Sequence, residues 1–167
     1  VRHGKHESDG EDGKLVSEGE KQSKKLAKKL EKLKIKEIYS SDLKRAKETS
    51  KILEKELKIP ITITSVLREW SSSIIKQDIN KWQKESKENL RRLKKLLDEV
   101  LQNKQQEKNV LIVAHGQLNK LIISLLMNIE IKKTVPFMQD NTCINVLEWN
   151  EHFKNWKVVT KKKPTKK

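Results

Sequence analysis

The sequence predicts an α/β protein, a three-layer α/β/α sandwich around a mostly parallel central sheet. Short apolar runs alternate with amphipathic helical patterns, and this order is typical of parallel strands that are joined by helices. Polar turns that contain glycine follow the apolar runs, so candidate ligand groups are expected at the carboxyl ends of the strands. The chain has 167 residues, which is the length of a single domain.

The first half of the chain contains two predicted helices and two predicted strands. A capping box of the form S-x-x-E, made by Ser17 and Glu20, predicts the start of the first helix. Next come a short strand over 35–39 and a second helix, which Ser41 or Asp42 is expected to cap. Pro60 ends that helix, and the alternation over 61–66 predicts another strand.

The second half of the chain begins with an irregular stretch over 70–77. The continuous apolar run 110–113 is expected at the centre of the parallel sheet. The remaining predicted elements are a long helix over about 78–102, a strand over 110–113, a helix over 117–128, and a hairpin of strands over 143–149 and 156–160.

The predicted domain spans residues 1–160 and is followed by a basic tail over 161–167. Only Val1 and Arg2 precede the loop at Gly4, and two residues are too few to make the first strand of the sheet. We therefore expect the first strand to be truncated before Val1, with a short apolar run upstream of Val1 in the full gene.

Charge and composition limit the classes of partner. The formal net charge is +15, which attracts anions such as phosphates over a long range. Lysine supplies nearly all of this excess and is spread along predicted helix faces, so we interpret it as a solvated surface and do not expect a nucleic-acid partner. The longest apolar runs are far too short to span a bilayer, so no membrane segment is expected. Cys143 is the single cysteine, and a reducing, cytoplasmic setting is the simplest expectation.

Arginine is scarce beside the 33 lysines. A guanidinium group can bind a phosphate through two parallel hydrogen bonds, and a lysine ammonium group cannot. Each arginine is therefore a candidate for a role that depends on geometry. The five arginines are Arg2, Arg45, Arg68, Arg91 and Arg92.

Two histidines lie in matching settings, each at the expected end of a strand and each followed by glycine. His3 stands in Arg2-His3-Gly4, and His115 stands in Ala114-His115-Gly116. Arg45 lies in the first turn of a predicted helix that follows a strand, and Glu69 follows the next strand. All four side chains are therefore expected at one edge of the sheet, where helix N-termini favour an anion.

These residues belong to an ordered series that resembles the histidine phosphatase superfamily, the group that contains phosphoglycerate mutases and broad-specificity phosphatases. The resemblance covers nearly the whole chain and is carried by Arg2-His3-Gly4, Leu15–Gln22, Tyr39–Leu43 with Arg45, Ala46 and Thr49, Leu67-Arg68-Glu69, Val110–Gly116 and Asn141–Ile144.

The resemblance implies a phosphomonoester hydrolase that works through a covalent phosphohistidine on a small phosphorylated metabolite. It implies no metal and no cofactor. The roles that it implies are His3 as nucleophile, Glu69 as general acid and then base, His115 as a further catalytic group, and Arg2, Arg45, His115, Gly4 and Gln117 as phosphate-binding residues.

Three alternatives to this function stay open: a mutase-type phosphoryl transferase, a protein phosphohistidine phosphatase, and an inactive relative that binds polyanions. Lys5, His6 and Asp9 depart from the residues that often follow the family's R-H-G triplet, and we interpret His6 as a loop residue. The segment 71–75 replaces a glycine-containing stretch of the family. These departures concern the substrate pocket, so the sequence does not decide the substrate, and it does not decide the oligomeric state.

Overall fold

The computed structural model describes residues 1–7, 12–75, 81–101, 109–134, 137 and 139–159. The predicted basic tail and the predicted start of the long helix at 78 lie outside the described residues. In chain order the main elements are α1 (Ser17–Leu30), β1 (Ile35–Ser41), α2 (Lys44–Leu57), β2 (Ile61–Thr64), α3 (Ser72–Ile75), α4 (Lys84–Leu101), β3 (Asn109–Val113), α5 (Gly116–Met127), β4 (Leu147–Asn150) and β5 (Asn155–Val158).

The described strands form a parallel sheet with the order β2-β1-β3 and a separate antiparallel hairpin of β4 and β5. In the parallel sheet Tyr39 lies opposite Thr62 on one side and opposite Ile112 on the other. The centre of the sheet is therefore β1. The apolar run 110–113 lies in β3, which pairs with β1 on one side and accepts a hydrogen bond from the Val1 amino group at the Ile112 carbonyl on the other, so it is flanked on both sides as an inner strand is expected to be.

Two hydrophobic clusters, one on each face of the sheet, confirm the three-layer architecture. Side chains alternate between the faces of a strand, so Leu111 and Ile112 point to opposite clusters. The first cluster joins α1 and α2 to the sheet through Leu26, Ala27, Leu30, Ile38, Ala46, Leu53, Leu111 and Val113. The second joins α4 and α5 to it through Leu90, Leu93, Leu97, Ala114, Leu118, Leu121 and Ile122.

The chain start runs beside β3 without forming a strand of its own. The Ala114 N–H donates to the Val1 carbonyl at 2.9 Å, and the His3 N–H donates to the Ala114 carbonyl at 3.0 Å. Arg2 and Ala114 make an isolated parallel bridge. These contacts bring the R-H-G triplet to the carboxyl end of β3, directly beside His115.

Helices α1, α2 and α5 begin close to the predicted residues, whereas α4 begins at Lys84 and not at about 78. The caps of α1 and α2 differ from the prediction. Helix α1 begins at Ser17, yet its N-cap is Val16 and no side chain caps it, so the predicted capping box is absent. The reason is that the Val16 N–H donates to the Lys5 carbonyl at 3.1 Å, which holds Val16 extended as the N-cap and starts the helix at Ser17, one residue earlier than the box requires. Helix α2 has Leu43 as its N-cap rather than Ser41 or Asp42.

Ser41 does not cap α2 because it is the last residue of β1, with its side chain buried in the sheet edge. The cap comes from a distant residue instead, since the Asp12 carboxylate accepts the Lys44 N–H. Long-range contacts of this kind cannot be inferred from the local capping pattern.

Two strands are shorter than predicted. The strand expected over 61–66 ends at Thr64 and passes into a 3-10 turn, Ser65–Leu67. The strand expected from Cys143 begins at Leu147, because the chain still turns at Thr142, whose φ of 57° lies in the left-handed region. Cys143 is therefore not in a strand. No helix within the described ranges is both long enough and apolar enough to cross a membrane.

Candidate active site

The carboxyl ends of β1 and β3 and the first turn of α2 bring three predicted site residues into contact. The rings of His3 and His115 lie 5.1 Å apart, centroid to centroid. The Arg45 Nε–H donates a hydrogen bond to the His3 Nε2 at 3.2 Å. His3 is 2% exposed, His115 0% and Arg45 7%, so the cluster is buried.

His3 has one assigned tautomer because its Nδ1 lies 2.8 Å from the Gly4 carbonyl oxygen. A carbonyl oxygen only accepts hydrogen bonds, so Nδ1 carries the hydrogen and Nε2 keeps its lone pair. Burial lowers the pKa of His3 to about 3, although the hydrogen bond to the Gly4 carbonyl opposes this shift, and the nearby Arg45 and Arg2 charges lower the pKa further. His3 is therefore a neutral imidazole at neutral pH, and its Nε2 lone pair accepts the hydrogen bond from Arg45.

His115 is held neutral by the same two causes. Burial lowers the pKa of His115 to about 2, and His3, Arg45 and Arg2 add to this shift. Its Nε2 lies 2.9 Å from the Ser41 Oγ. Its Nδ1 is buried and has no hydrogen-bond partner among the described residues, so this nitrogen is available to a ligand.

Arg2 lies beside Gln139 and near the start of α5. Its Nη1 donates to the Gln139 carbonyl, whereas its Nε is buried and has no partner among the described residues. Burial lowers the pKa of Arg45, and the Glu69 and Asp12 carboxylates oppose that shift. The site therefore holds two guanidinium groups beside two neutral imidazoles, which is an arrangement suited to an anion.

Glu69 lies at the N-terminus of α5. Its Oε1 accepts the Trp70 N–H at 3.0 Å, the Leu118 N–H at 3.1 Å and the Gln117 N–H at 3.2 Å. The Gln117 N–H, expected to bind phosphate, is thus directed at the Glu69 carboxylate. A Cβ on Gly116 would stand 3.9 Å from the Arg2 Nε and 4.0 Å from the Glu69 Oε2, which places Glu69 beside the buried cluster.

The loop that carries His3 is held closely against its surroundings. The Gly4 N–H donates to the Thr49 Oγ1 at 3.0 Å, and the Asn141 Nδ2 donates to the His3 carbonyl at 3.1 Å. A Cβ on Gly4 would lie 2.7 Å from the Gly19 carbonyl oxygen, so only glycine allows this approach. Gly4 therefore contributes by its small size and by its anchoring to α2.

His6 lies nearer the cluster than a loop residue needs to. Its ring is 5.0 Å from that of His3, and the Glu7 carbonyl lies 2.5 Å from its Nδ1. His6 also forms an antiparallel bridge with Leu15. The interpretation of His6 as only a loop residue is therefore incomplete, because its ring contacts that of His3. Burial lowers the pKa of His6, and Arg45 and Arg2 add to the shift.

The structure thus brings together all the predicted site residues: Arg2, His3, Gly4, Arg45, Glu69, His115 and Gln117. Sequence reasoning did not single out Ser41 or Gln139, which contact His115 and Arg2. A polar residue at the end of an apolar strand could have indicated Ser41, whereas no local pattern indicates Gln139. Among the described residues no group of three or more histidine, cysteine, aspartate or glutamate side chains could hold a metal ion.

Comparison with known proteins gives one family and many similar folds. Residues 1–162 match the family described as the histidine phosphatase superfamily, branch 1. No curated protein matches the sequence.

Three solved structures illustrate the similarity in fold. A mycobacterial glucosyl-3-phosphoglycerate phosphatase is 20% identical with a TM-score of 0.75, and the alignment covers 95% of each chain. A phosphoserine phosphatase from Entamoeba histolytica is 21% identical with a TM-score of 0.73, and 95% of this chain and 92% of that chain are covered. A putative alpha-ribazole-5'-P phosphatase from Escherichia coli is 20% identical with a TM-score of 0.74, with the same coverage of 95% and 92%.

Proposed function

This chain belongs to the histidine phosphatase superfamily of enzymes, and we propose that it hydrolyses phosphomonoesters through a phosphohistidine at His3. The observation that carries the proposal is the His3 Nε2, the lone pair of a buried neutral imidazole, which accepts the Arg45 Nε–H at 3.2 Å. When Arg45 turns its N–H groups to a phosphoryl oxygen, this lone pair becomes free to attack the phosphorus beside a fixed positive charge.

In the first step the His3 Nε2 attacks the substrate phosphorus. A nitrogen–phosphorus bond forms, the bond from phosphorus to the leaving oxygen breaks, and protonated Glu69 gives its proton to that oxygen. In the second step Glu69 takes a proton from water, the hydroxide oxygen bonds to phosphorus, and the nitrogen–phosphorus bond breaks. His3 returns to its neutral form and inorganic phosphate leaves.

Arg2, Arg45 and His115 stabilise the transferring phosphoryl group. Two of their nitrogens, the Arg2 Nε and the His115 Nδ1, are buried without a partner among the described residues, so they can donate to phosphoryl oxygens at no cost to an existing hydrogen bond. The Leu43 N–H donates to the Ser41 Oγ at 3.3 Å, which leaves the Ser41 hydroxyl hydrogen for the His115 Nε2. His115 Nδ1 then carries a hydrogen directed away from Ser41.

The two guanidinium groups supply the positive charge that the reaction needs, so we propose that the reaction requires no metal and no cofactor. The substrate is proposed to be a small phosphorylated metabolite, and three similar structures are of phosphatases that are named for such compounds. The cytoplasm is the proposed setting, because the single thiol of Cys143 is compatible with a reducing compartment.

Hydrolysis of an aryl phosphate between about pH 5 and about pH 8, with a chelator present, tests the function. We expect turnover that resists the chelator and falls by about a thousandfold or more in His3→Ala, because the nucleophile is lost. His152→Ala is the matched control, since His152 is an exposed histidine that contacts Phe153 away from the site. Full activity of His3→Ala would refute the proposed nucleophile.

Trapping of the intermediate separates the proposed hydrolase from the alternatives. Rapid quenching with a radiolabelled substrate should give an acid-labile phosphoprotein in the parent and none in His3→Ala. A labelled intermediate that passes its phosphoryl group to an added sugar phosphate faster than to water would instead indicate a mutase.

A further inference from the structure

A polar cavity separate from the cluster of His3 and His115 adjoins Glu69 near the start of α4. It has a volume of about 360 Å³, which lies at the small end of the range for metabolite sites. One wall consists of the chain segment from Ser65 to Ser71, which contains Glu69. The other wall is one face of α4, with Glu85, Ser86, Asn89 and Arg92.

The α4 wall is polar because its positions share one side of the helix. Ser86, Asn89 and Arg92 are three residues apart, and residues at this spacing are neighbours on a helix surface. The buried positions Leu90, Leu93 and Leu97 follow a different stripe that packs into the core. The polar stripe is thus not needed for packing, and it faces the cavity.

Arg92 is the arginine of this cavity that makes no hydrogen bond and no ion pair with any described residue. Its nearest carboxylate along α4 is that of Glu88, whose pKa is lowered mainly by the hydrogen bond from Arg91 and further by the charge of Arg92. Arg68 also lines the cavity, but its Nε and Nη2 donate to the Asp42 carboxylate at 2.8 and 2.7 Å. Arg91, next to Arg92 in the chain, donates to Glu88 at 2.9 and 2.8 Å and does not line the cavity.

The distribution of arginine supports a role in binding. The chain uses arginine at five positions and lysine at 33. Arg2 and Arg45 lie beside His3 and His115 in the candidate active site, and Arg68 and Arg92 line the adjoining cavity. Only Arg91 lies outside both. Since guanidinium groups suit planar oxyanions better than ammonium groups do, this placement favours a second anion site.

We propose that the cavity binds the leaving group of the substrate and that Arg92 binds an oxyacid anion, a carboxylate or a second phosphate, on that leaving group. The inference rests on the proposed function, in which Glu69 gives a proton to the leaving oxygen and so must lie between the phosphoryl group and the leaving group. Ser86 and Asn89 offer hydrogen bonds to hydroxyl groups of the same molecule. Glu85 also lines the cavity, but it lies seven residues, about 10 Å along the helix axis, from Arg92 and makes no ion pair with it.

A matched pair of substrates tests the anion. 3-Phosphoglycerate and glycerol 3-phosphate differ only in a carboxylate that replaces a hydroxymethyl group. We expect kcat/KM to be about tenfold or more higher for 3-phosphoglycerate, and Arg92→Ala to reduce this ratio about tenfold, because one charge-assisted contact is lost. Arg91→Ala is the control with the same change in charge, and it should keep the ratio within about twofold.

A second pair, fructose 1,6-bisphosphate and fructose 6-phosphate, distinguishes the two sources of the anion. A preference for the bisphosphate that Arg92→Ala removes assigns the site to a second phosphate. A preference confined to 3-phosphoglycerate assigns it to a carboxylate. Equal losses for all four substrates in Arg92→Ala, or equal losses in Arg91→Ala and Arg92→Ala, would overturn the inference.

Binding measured by calorimetry to the His3→Ala variant keeps this test separate from the test of catalysis. If the parent hydrolyses none of these esters and no aryl phosphate, the proposed function fails, yet the ratio of affinities within each pair still decides the inference. Affinity ratios near one in both substrate pairs, measured with the His3→Ala variant that keeps Arg92, would overturn the inference whether or not the parent protein shows turnover.

Discussion

At the residue scale, the site depends on imidazoles that stay neutral beside positive charges. His3 and His115 are buried, and each ring faces Arg2 and Arg45 as well as the other imidazole. Each of these groups opposes protonation, and His6 does so too. A neutral His3 is the form with a nucleophilic lone pair, so the same environment that activates His3 also makes its protonation costly for the fold.

This environment predicts that acid destabilises the protein. The pKa of His3 is about 3 and that of His115 about 2, against an ordinary value of 6.5. Between pH 6.5 and about pH 3 the unfolded chain therefore binds protons that the folded chain does not. The stabilisation is complete above pH 6.5 and is lost as pH falls through this window, by an amount on the order of 2 kcal/mol for each ring at about pH 4.5.

Chemical unfolding at several pH values checks this dependence. We expect the free energy of unfolding to fall less steeply with acid in His115→Asn than in the parent protein, because one buried imidazole is gone. The exposed His152 supplies the control, and His152→Asn should keep the slope of the parent. Identical slopes in all three proteins would show that the buried histidines do not control acid stability.

At the scale of elements, the site depends on how closely α1 approaches the loop of His3. Gly19, in the first turns of α1, faces the backbone of Lys5, and Gly4 faces the backbone of Gly19. These contacts are between backbone atoms, which cannot move aside as a flexible side chain can. The backbone of α1 therefore restricts the position of the loop that carries His3.

Substitution of Gly19 with alanine should push the loop that carries His3 away from α1. A Cβ at Gly19 would lie 2.0 Å from the Lys5 carbonyl oxygen, so we expect Gly19→Ala to lower the free energy of unfolding by about 2 kcal/mol or more. Turnover should fall as well, because the loop must shift. Urea unfolding and the aryl phosphate assay give the two readouts.

Gly116→Ala is the matched control for stability. The nearest atom to a Cβ at Gly116 is the Gln139 Cβ at 3.6 Å, an ordinary contact, and alanine favours the helix more than glycine does. We expect the free energy of unfolding to change by less than about 1 kcal/mol. Equal effects at Gly19 and Gly116 would contradict the role assigned to the backbone contact.

At the scale of the whole molecule, the net charge of +15 should draw anionic substrates to the site. Helix α1 contributes part of this charge, since it has five lysines and two glutamates, and its Lys24, Lys25 and Lys28 are exposed and make no ion pair with any described residue. The N-terminal turns of the same helix contact the loop of His3. The charged face is therefore close enough to influence the approach of substrate.

Salt should weaken this attraction without changing the chemistry. We expect kcat/KM to fall several-fold as ionic strength rises from about 0.01 M to about 0.3 M, while kcat stays constant, because screening acts on the encounter. The triple variant Lys24→Glu, Lys25→Glu, Lys28→Glu should be slower at low salt and approach the parent at high salt. A kcat/KM that is independent of salt would exclude steering.

Several features could be predicted from local patterns alone. The alternation of apolar strands and amphipathic helices predicted the layers, because periodicity follows from which face of an element is buried. The positions of His3, Arg45 and His115 just after strands or in a first helical turn predicted one shared site, since parallel strands end at the same edge. The family follows from the ordered motifs and is confirmed by the match over residues 1–162.

Other features depended on contacts between distant segments. The sequence by itself determined the order of the elements, the layers and the residues that meet at the sheet edge. Only the tertiary structure decided that β1 is the central strand, that Asp12 caps α2, that Glu69 lies on the N-terminus of α5, and that Arg92 shares a cavity with Glu69. The physical reason is that strand pairing and loop paths are set by the packing of the whole chain, whereas local patterns report only the burial and backbone preferences of neighbouring residues.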